Sequence, residues 1–315
     1  MIVVIIVLAV LLAAALIGLF VPYYIVFFSP HRNADEIEIE PFLDDMDMFN
    51  GIKDQAKKLA KIPCSRVQTT SYDGLKLSGR YYHKSDDAPL CICFHGYRGS
   101  AVFDFSIMGQ FLQDEGYNVL LVDQRAHFGS GGHTITYGIR ERRDVLSWIE
   151  YANGRFGSDK PIYLFGISMG ASTVVMASGL DLPANVRMIC ADCPYSSPKD
   201  VIFYVANRWY KCPRLLWVLI RISALVYGHL IIPRDVTAAN AVKNTKIPIL
   251  LIHGEADCFV PNEMSEEIRL ANPDCVERYT FPDAVHGVSY CYDPERYIDI
   301  LRGFIKRNSG GRQTD

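Results

Sequence analysis

The stretch Ile162-Tyr163-Leu164-Phe165-Gly166-Ile167-Ser168-Met169-Gly170, continued by Ala171-Ser172-Thr173-Val174-Val175-Met176, decides the fold. Its first four residues form a short, continuous apolar run, the pattern of a strand buried on both faces. The two glycines bracket a tight turn, and the small residues after them suit a helix. Strand, sharp turn and helix would together raise the hydroxyl of Ser168 above the strand's C-terminal edge, with the glycines admitting backbone where a Cβ would clash. Ser168 is therefore the candidate nucleophile. A Gly-x-Ser-x-Gly pentapeptide also arises by chance in a chain with 23 glycines, so its partners decide.

A serine hydroxyl is a weak nucleophile at neutral pH and needs a base within hydrogen-bond reach, commonly a histidine whose tautomer is held by a carboxylate. On a strand-turn-helix elbow the chain order is serine, acid, histidine. Asp257 lies just past the apolar run Ile249-Leu250-Leu251-Ile252, and His286 sits in Ala284-Val285-His286-Gly287, ahead of a helix expected over 294–305. Between them there is room for one helix and one strand, the latter over 277–281. Glu255 is the alternative acid, and His253 and His229 are the alternative bases. Asp257 is preferred because Val260-Pro261 makes a turn that can carry its carboxylate toward the serine. His253 ends a strand and reads as a packed residue. His286 rises above a lone histidine because it co-occurs with the other two.

A tetrahedral intermediate also needs two backbone N–H donors aimed at its oxyanion. The elbow offers the N–H of Met169 at the head of its helix. The second donor is assigned to Tyr97, in the loop His95-Gly96-Tyr97-Arg98-Gly99 that follows the apolar run Leu90-Cys91-Ile92-Cys93-Phe94. His95, beside the strand end, is expected to orient this loop through hydrogen bonds.

Outward from the elbow the same signal repeats. Short apolar runs at 90–94, 119–122, 188–191 and 249–252 each lead toward a helical stretch, which predicts a mostly parallel α/β sheet with crossover helices. Residues 66–82 alternate around Asp73-Gly74, a hairpin signal that opens the sheet antiparallel. About 50 residues separate the runs ending near 191 and starting near 249, more than one crossover needs. They contain Trp209, Trp217 and an apolar helical stretch, 215–232, broken by Arg221, Ser223, Gly228 and His229. An inserted cap over a pocket, at about 196–245, is expected there.

Residues 1–28 carry no charged or amide side chain, and at 1.5 Å per residue the run to Val21 covers a ~30 Å hydrocarbon layer. A transmembrane anchor is expected, with Tyr23 and Tyr24 at the interface. A cleaved signal would have a basic start, a shorter apolar core and a small-residue cleavage site. Arg32 ahead of the acidic run at 35–40, and nine cysteines without scaffold spacing, lean toward a cytoplasmic body. Cys91-x-Cys93 and Cys190-x-x-Cys193 lie on or just after strand-like runs and read as small buried hydrophobes rather than metal pairs.

The expected organisation is an anchor at 1–28, a juxtamembrane segment at 29–62, a catalytic domain at 63–308 and a tail at 309–315. In the juxtamembrane segment Lys53, Lys57, Lys58 and Lys61 oppose Met46, Phe49, Ile52, Ala56, Leu59 and Ala60 at helical spacing. A net charge of −3 with 32 scattered Lys and Arg excludes a nucleic-acid partner. Phosphate-loop, zinc-protease and dinucleotide-binding motifs are absent from the sequence, and the glycine-rich run at 129–132 reads as a loop. No cofactor and no metal are indicated, and the partners expected are a small-molecule acyl substrate and the membrane.

His95-Gly96-Tyr97-Arg98-Gly99-Ser100, Asp123-Gln124-Arg125-Ala126-His127, the elbow, His253-Gly254-Glu255-Ala256-Asp257 and Val285-His286-Gly287 together resemble the α/β-hydrolase superfamily. More narrowly they are similar to membrane-anchored bacterial hydrolases of the serine aminopeptidase type, over about 67–306. The chain departs from the pattern at Phe128, where relatives continue with glycine; Gly129 follows. The resemblance implies that Ser168, Asp257 and His286 act together, that Tyr97 and Met169 are backbone donors, and that the insertion shapes an acyl pocket. The activity expected is acyl transfer to water from carboxylic esters or thioesters with an apolar acyl group. Amide or peptide hydrolysis is the alternative, and a non-catalytic, membrane-tethered binding protein is the reading from another class.

Overall fold

The computed structural model describes residues 1–30, 45–211 and 214–309. Arg32, the acidic run at 35–40, Cys212 and the tail beyond Ser309 lie outside the described residues.

The N-terminal run forms α1 (Ile2–Val26), which continues through Pro22 for a further turn. Helix α2 (Met46–Lys61) begins at an Asp45 cap, whose carboxylate accepts from Met48 N–H at 2.9 Å. It buries Phe49, Ile52, Ala56 and Leu59 against the body and leaves Lys57, Lys58 and Lys61 outside, an amphipathic surface helix. Strands β1 (Ser65–Thr70) and β2 (Lys76–Tyr82) then pair antiparallel around Gly74, which takes φ +84°. Strand β3 (Leu90–Phe94) is followed by the short helices α3 (Ala101–Asp104) and α4 (Met108–Asp114), then by β4 (Asn118–Asp123) and α5 (Glu141–Phe156). The elbow runs from β5 (Ile162–Ile167) into α6 (Met169–Ala177), and β6 (Val186–Asp192) leads to the insertion.

The insertion holds α7 (Pro198–Tyr210), α8 (Arg214–Gly228) and the short helix α9 (Ala238–Ala241). The apolar stretch expected to stay helical to 232 stops four residues sooner. His229 turns left-handed at φ +45°, and Leu230 N–H reaches back to Ala224 at 3.0 Å. The chain closes with β7 (Ile249–Gly254), α10 (Asn262–Ala271), β8 (Val276–Phe281), α11 (Ser289–Tyr292) and α12 (Pro294–Asn308).

The eight strands form one sheet in the order β1-β2-β4-β3-β5-β6-β7-β8. β2 meets both neighbours antiparallel, and every pairing from β4 and β3 onward is parallel. The short apolar runs alternate sides as they must. Leu90, Ile92, Leu120, Leu164, Ile189 and Leu251 pack into a core on one face, whereas Cys91, Cys93, Leu121, Phe165, Cys190 and Ile252 pack into a second core on the other. Three of the cysteines considered as metal pairs thus serve the second core. Because the strands from β3 onward are parallel, their C-terminal ends share one edge, where loops from several strands converge.

Candidate active site

Ser168 caps α6 with φ +55° and ψ −115°, a conformation L-residues rarely hold. Its N–H is tied to Asp192 C=O at 2.8 Å, which fixes the elbow to the end of β6. The glycines do what the motif demands. A Cβ on Gly166 would lie 2.4 Å from Gly170 backbone, and one on Gly170 would lie 1.9 Å from Phe94 C=O.

The structure brings Ser168, His286 and Asp257 together. His286 Nε2 lies 2.8 Å from Ser168 Oγ, and His286 Nδ1 lies 2.6 Å from Asp257 Oδ2. The turn after Asp257 wraps its carboxylate, with Phe259 and Val260 N–H donating to Oδ1 at 2.8 and 2.9 Å. The alternatives lie elsewhere. Glu255 is exposed and accepts from Thr280 Oγ1 at 2.6 Å, and His229 is exposed at the end of α8.

Burial raises the Asp257 carboxyl, but the charge of His286 and hydrogen bonds from His253, His286 and Val260 outweigh it and hold the group well below the usual carboxylate range. For His286, burial opposes the charged form, while Asp257, Asp192 and Asp104 favour it, and the net shift is upward. Tyr97 and Met169 line the same cavity as Ser168 and His286. The N–H of Met169 opens α6, where an amide has no intrahelical acceptor.

His95 and His127 hold the Tyr97 loop. His95 is fully buried, its Nε2 accepts from Gln124 N–H at 3.1 Å, and its Nδ1 therefore donates to Gly96 C=O at 2.8 Å. His127 Nε2 accepts from Arg98 N–H at 3.1 Å. Burial and the neighbouring His127 push the pKa of His95 well below that of an ordinary imidazole, so it stays neutral. Arg125 forks onto Asp144 with two bonds of 2.6 Å and also reaches Asp73, clamping the β4 loop to α5 and to the hairpin. Phe128, where the resemblance led to an expectation of glycine, takes φ +42° and is buried edge-on to His95.

The contacts that four nearby groups make at the site escaped sequence reasoning. His253 does pack, as expected of a strand end, yet its Nε2 also lies 3.2 Å from Asp257 Oδ2. Cys193 Sγ lies 4.0 Å from His286 Nε2, so this thiol, unlike Cys190, faces the candidate site. Asp192 is pushed up to about 7 by burial despite a 3.1 Å bond from Tyr297 OH, and Asp104 is pushed up to about 6 by burial while accepting from Gly96 N–H at 2.6 Å. Each of these contacts is made by the fold rather than announced by sequence spacing. The nearest sequence signal was polar residues at strand ends.

A cavity of about 850 Å³ opens over Ser168. Its apolar wall comes from Val201, Ile202, Val205 and Ala206 on α7, Leu216 and Ile220 on α8, and Val21, Pro22 and Ile25 on α1. Tyr23, expected at a membrane interface, is instead buried in the body with its hydroxyl 2.8 Å from Thr134 Oγ1, whereas Tyr24 is exposed.

A family model for the alpha/beta hydrolase fold matches residues 89–211. Together with the sheet order and the elbow, this match shows the alpha/beta hydrolase fold. The uncharacterized protein YqkD of Bacillus subtilis is 25% identical over 301 residues, covering 94% of each chain. Among solved structures, the Pyrococcus furiosus esterase Pf2001 is 25% identical with a TM-score of 0.67, covering 90% of this chain and 99% of that one. The Pyrococcus horikoshii acylaminoacyl peptidase is 19% identical with a TM-score of 0.58, covering 82% of this chain and 44% of that one, a likeness of fold.

Proposed function

We propose that this chain is a membrane-anchored serine hydrolase that cleaves carboxylic esters or thioesters with an apolar acyl group through an acyl-enzyme. Ser168 attacks the carbonyl carbon while His286 Nε2 takes its proton. Asp257 holds the imidazole in the Nδ1–H tautomer and stabilises the imidazolium. The N–H groups of Tyr97 and Met169 receive the oxyanion. His286 then returns the proton to the leaving alcohol or thiol, and a water, activated by the same histidine, releases the acid. The observation that carries this reading is the continuous contact from Ser168 Oγ through His286 to Asp257, at 2.8 and 2.6 Å. The same contact argues against a non-catalytic binding protein, which has no need of it.

The apolar cavity and the similarity to the Pyrococcus furiosus esterase favour an ester or thioester. The similarity to an acylaminoacyl peptidase keeps amide hydrolysis as the second reading. Hydrolysis of p-nitrophenyl esters of increasing chain length, measured beside aminoacyl p-nitroanilides, tests the choice. A kcat/KM that rises with acyl length and a negligible rate on the anilides are expected; the reverse order would establish the peptidase.

The anchor reading is supported by length and by docking. Ile2–Val26 is long and apolar enough to cross a membrane. Its last turn is built into the body, since Phe27 is fully buried and its carbonyl accepts from Ile135 N–H at 2.8 Å, while Ser29 N–H donates to His133 at 2.9 Å. Cleavage there would strip a wall from the cavity. The body is assigned to the cytoplasmic side on Arg32 and the absence of a disulfide-scaffold cysteine pattern, which a C-terminal topology reporter tests.

A further inference from the structure

Helix α8 is apolar on both sides. Ile220, Ser223 and Ala224 face inward and are buried, as a cap helix requires. Its outer face presents Val218, Leu219, Ile222, Leu225 and Val226, each between 38 and 51% exposed, with Arg221 as the charged residue among them. A surface helix of a water-soluble domain carries polar residues there, so this face requires a cover.

Its neighbour is α1. The hydroxyl of Tyr227, at the C-terminal end of α8, donates to Leu16 C=O of α1 at 2.7 Å, and its ring meets Phe20 edge-on at 5.3 Å. The part of α1 that stands clear of the body, residues 1–18, is exposed throughout. At 1.5 Å per residue it is ~27 Å long, close to the ~30 Å of a hydrocarbon layer. Tyr227 therefore grips α1 within the last turn of that free span. Just before α8, Trp209 is exposed, with Arg208 and Lys211 exposed on either side of it, residues that favour the headgroup region.

We propose that the outer face of α8 lies in the membrane interface beside α1, and that an acyl lipid of the bilayer reaches Ser168 laterally, between these two helices. The route follows from the cavity, whose apolar wall is shared by Val21, Pro22 and Ile25 of α1 and Leu216 and Ile220 of α8. An acyl chain leaving the hydrocarbon there enters an apolar cavity without crossing water, which avoids the cost of exposing its methylenes. The proposal rests on α1 being a membrane anchor.

The test uses the full chain in phosphatidylcholine vesicles, with acyl-brominated lipid as quencher. Leu225→Trp and, as a control, Glu150→Trp on the exposed side of α5 are placed in a Trp209→Phe/Trp217→Phe background, which leaves the buried Trp148 as an emitter common to both. The chain is expected to float with the vesicles and resist carbonate, with the Leu225→Trp emission quenched at least twofold more than that of Glu150→Trp. Flotation without this difference overturns the docking of α8 and leaves the anchor standing, and a cross-linked dimer through α8 would identify a second copy as the cover. Failure to float overturns the anchor, and the proposal with it. Ile222→Asp/Leu225→Asp, which does not touch the cavity, is expected to lower turnover of a long-chain ester in vesicles at least tenfold while leaving a water-soluble short-chain ester within twofold. An equal effect on both substrates, or none on either, overturns lateral entry.

Discussion

The phenol of Tyr97 donates to the carbonyl of Val26 at 3.0 Å and to that of Ile25 at 3.3 Å. The residue whose N–H is assigned to the oxyanion thus binds the C-terminal carbonyls of α1 with its side chain. Arg98 extends the lock, with Nη2 reaching Tyr24, Ile25 and Phe28 carbonyls at 3.1, 3.2 and 2.7 Å. These carbonyls have no further helical turn to satisfy them, so the loop and the helix end complete each other.

Tyr97→Phe keeps the ring stacked on Tyr137 and removes only the hydroxyl. A hydrogen bond of this kind contributes about 1 kcal/mol, so kcat is expected to fall about fivefold, with KM changing less. Arg98→Ala should cost more and lower Tm as well. Steady-state kinetics on a short-chain ester check both; unchanged kcat in the two variants would show that α1 does not hold the loop.

In the proposed mechanism His286 must be neutral to accept the serine proton, so the rate is expected to rise with pH through its pKa, which Asp257 holds above the ordinary imidazole value. Asp257→Asn removes that charge. The acidic limb of kcat/KM should move to lower pH while kcat falls about 10⁴-fold, because the amide no longer stabilises the imidazolium. A limb that stays in place would separate Asp257 from the titration of His286.

Asp192, pushed up to about 7 against an ordinary 3.8, keeps a proton in the folded chain that the unfolded chain releases. Its contribution to stability is therefore full below about pH 4 and declines as pH rises to about 7. Asp192→Asn should gain Tm relative to wild type between pH 5 and 8. Since an ionised Asp192 favours the charged form of His286, the same variant should move the acidic limb to lower pH. Tm curves that run parallel across this range would count against a buried, proton-holding Asp192.

Gly170→Ala would drive a methyl into Phe94 C=O, where backbone on both sides leaves no room to relax. A loss of about 3 kcal/mol or more is expected, read as a fall in Tm or in soluble yield. Gly154→Ala, with nothing near the new Cβ on the exposed side of α5, is the matched control and should be neutral or slightly stabilising.

Much of this was legible in the sequence, because the chemistry and the backbone impose it locally. The alternating burial of β3 to β7 follows from their short apolar runs, and the elbow's glycines announce the close approach of Phe94 and Gly170. The order serine, acid, histidine followed from the fold's chain order, and the structure brings those three side chains into contact. What sequence could not give are contacts between distant segments. Cys193 reads as a buried hydrophobe until β6 and the His286 loop meet, and His253 reads as a packed strand end until the turn folds Asp257 back over it. Tyr23 looks like an interfacial aromatic because nothing in residues 1–28 reveals that Thr134, more than a hundred residues away, waits for its hydroxyl.

The proposed reaction turns on a covalent step at Ser168. Intact-protein and peptide mass spectrometry after treatment with a fluorophosphonate measures it directly. One phosphonyl adduct is expected on the wild type, mapped to the peptide bearing Ser168, with none on Ser168→Ala and strongly slowed labelling of His286→Ala. An adduct on another residue, equal labelling of Ser168→Ala, or a wild type that turns over esters yet never labels would rule out Ser168 as the nucleophile.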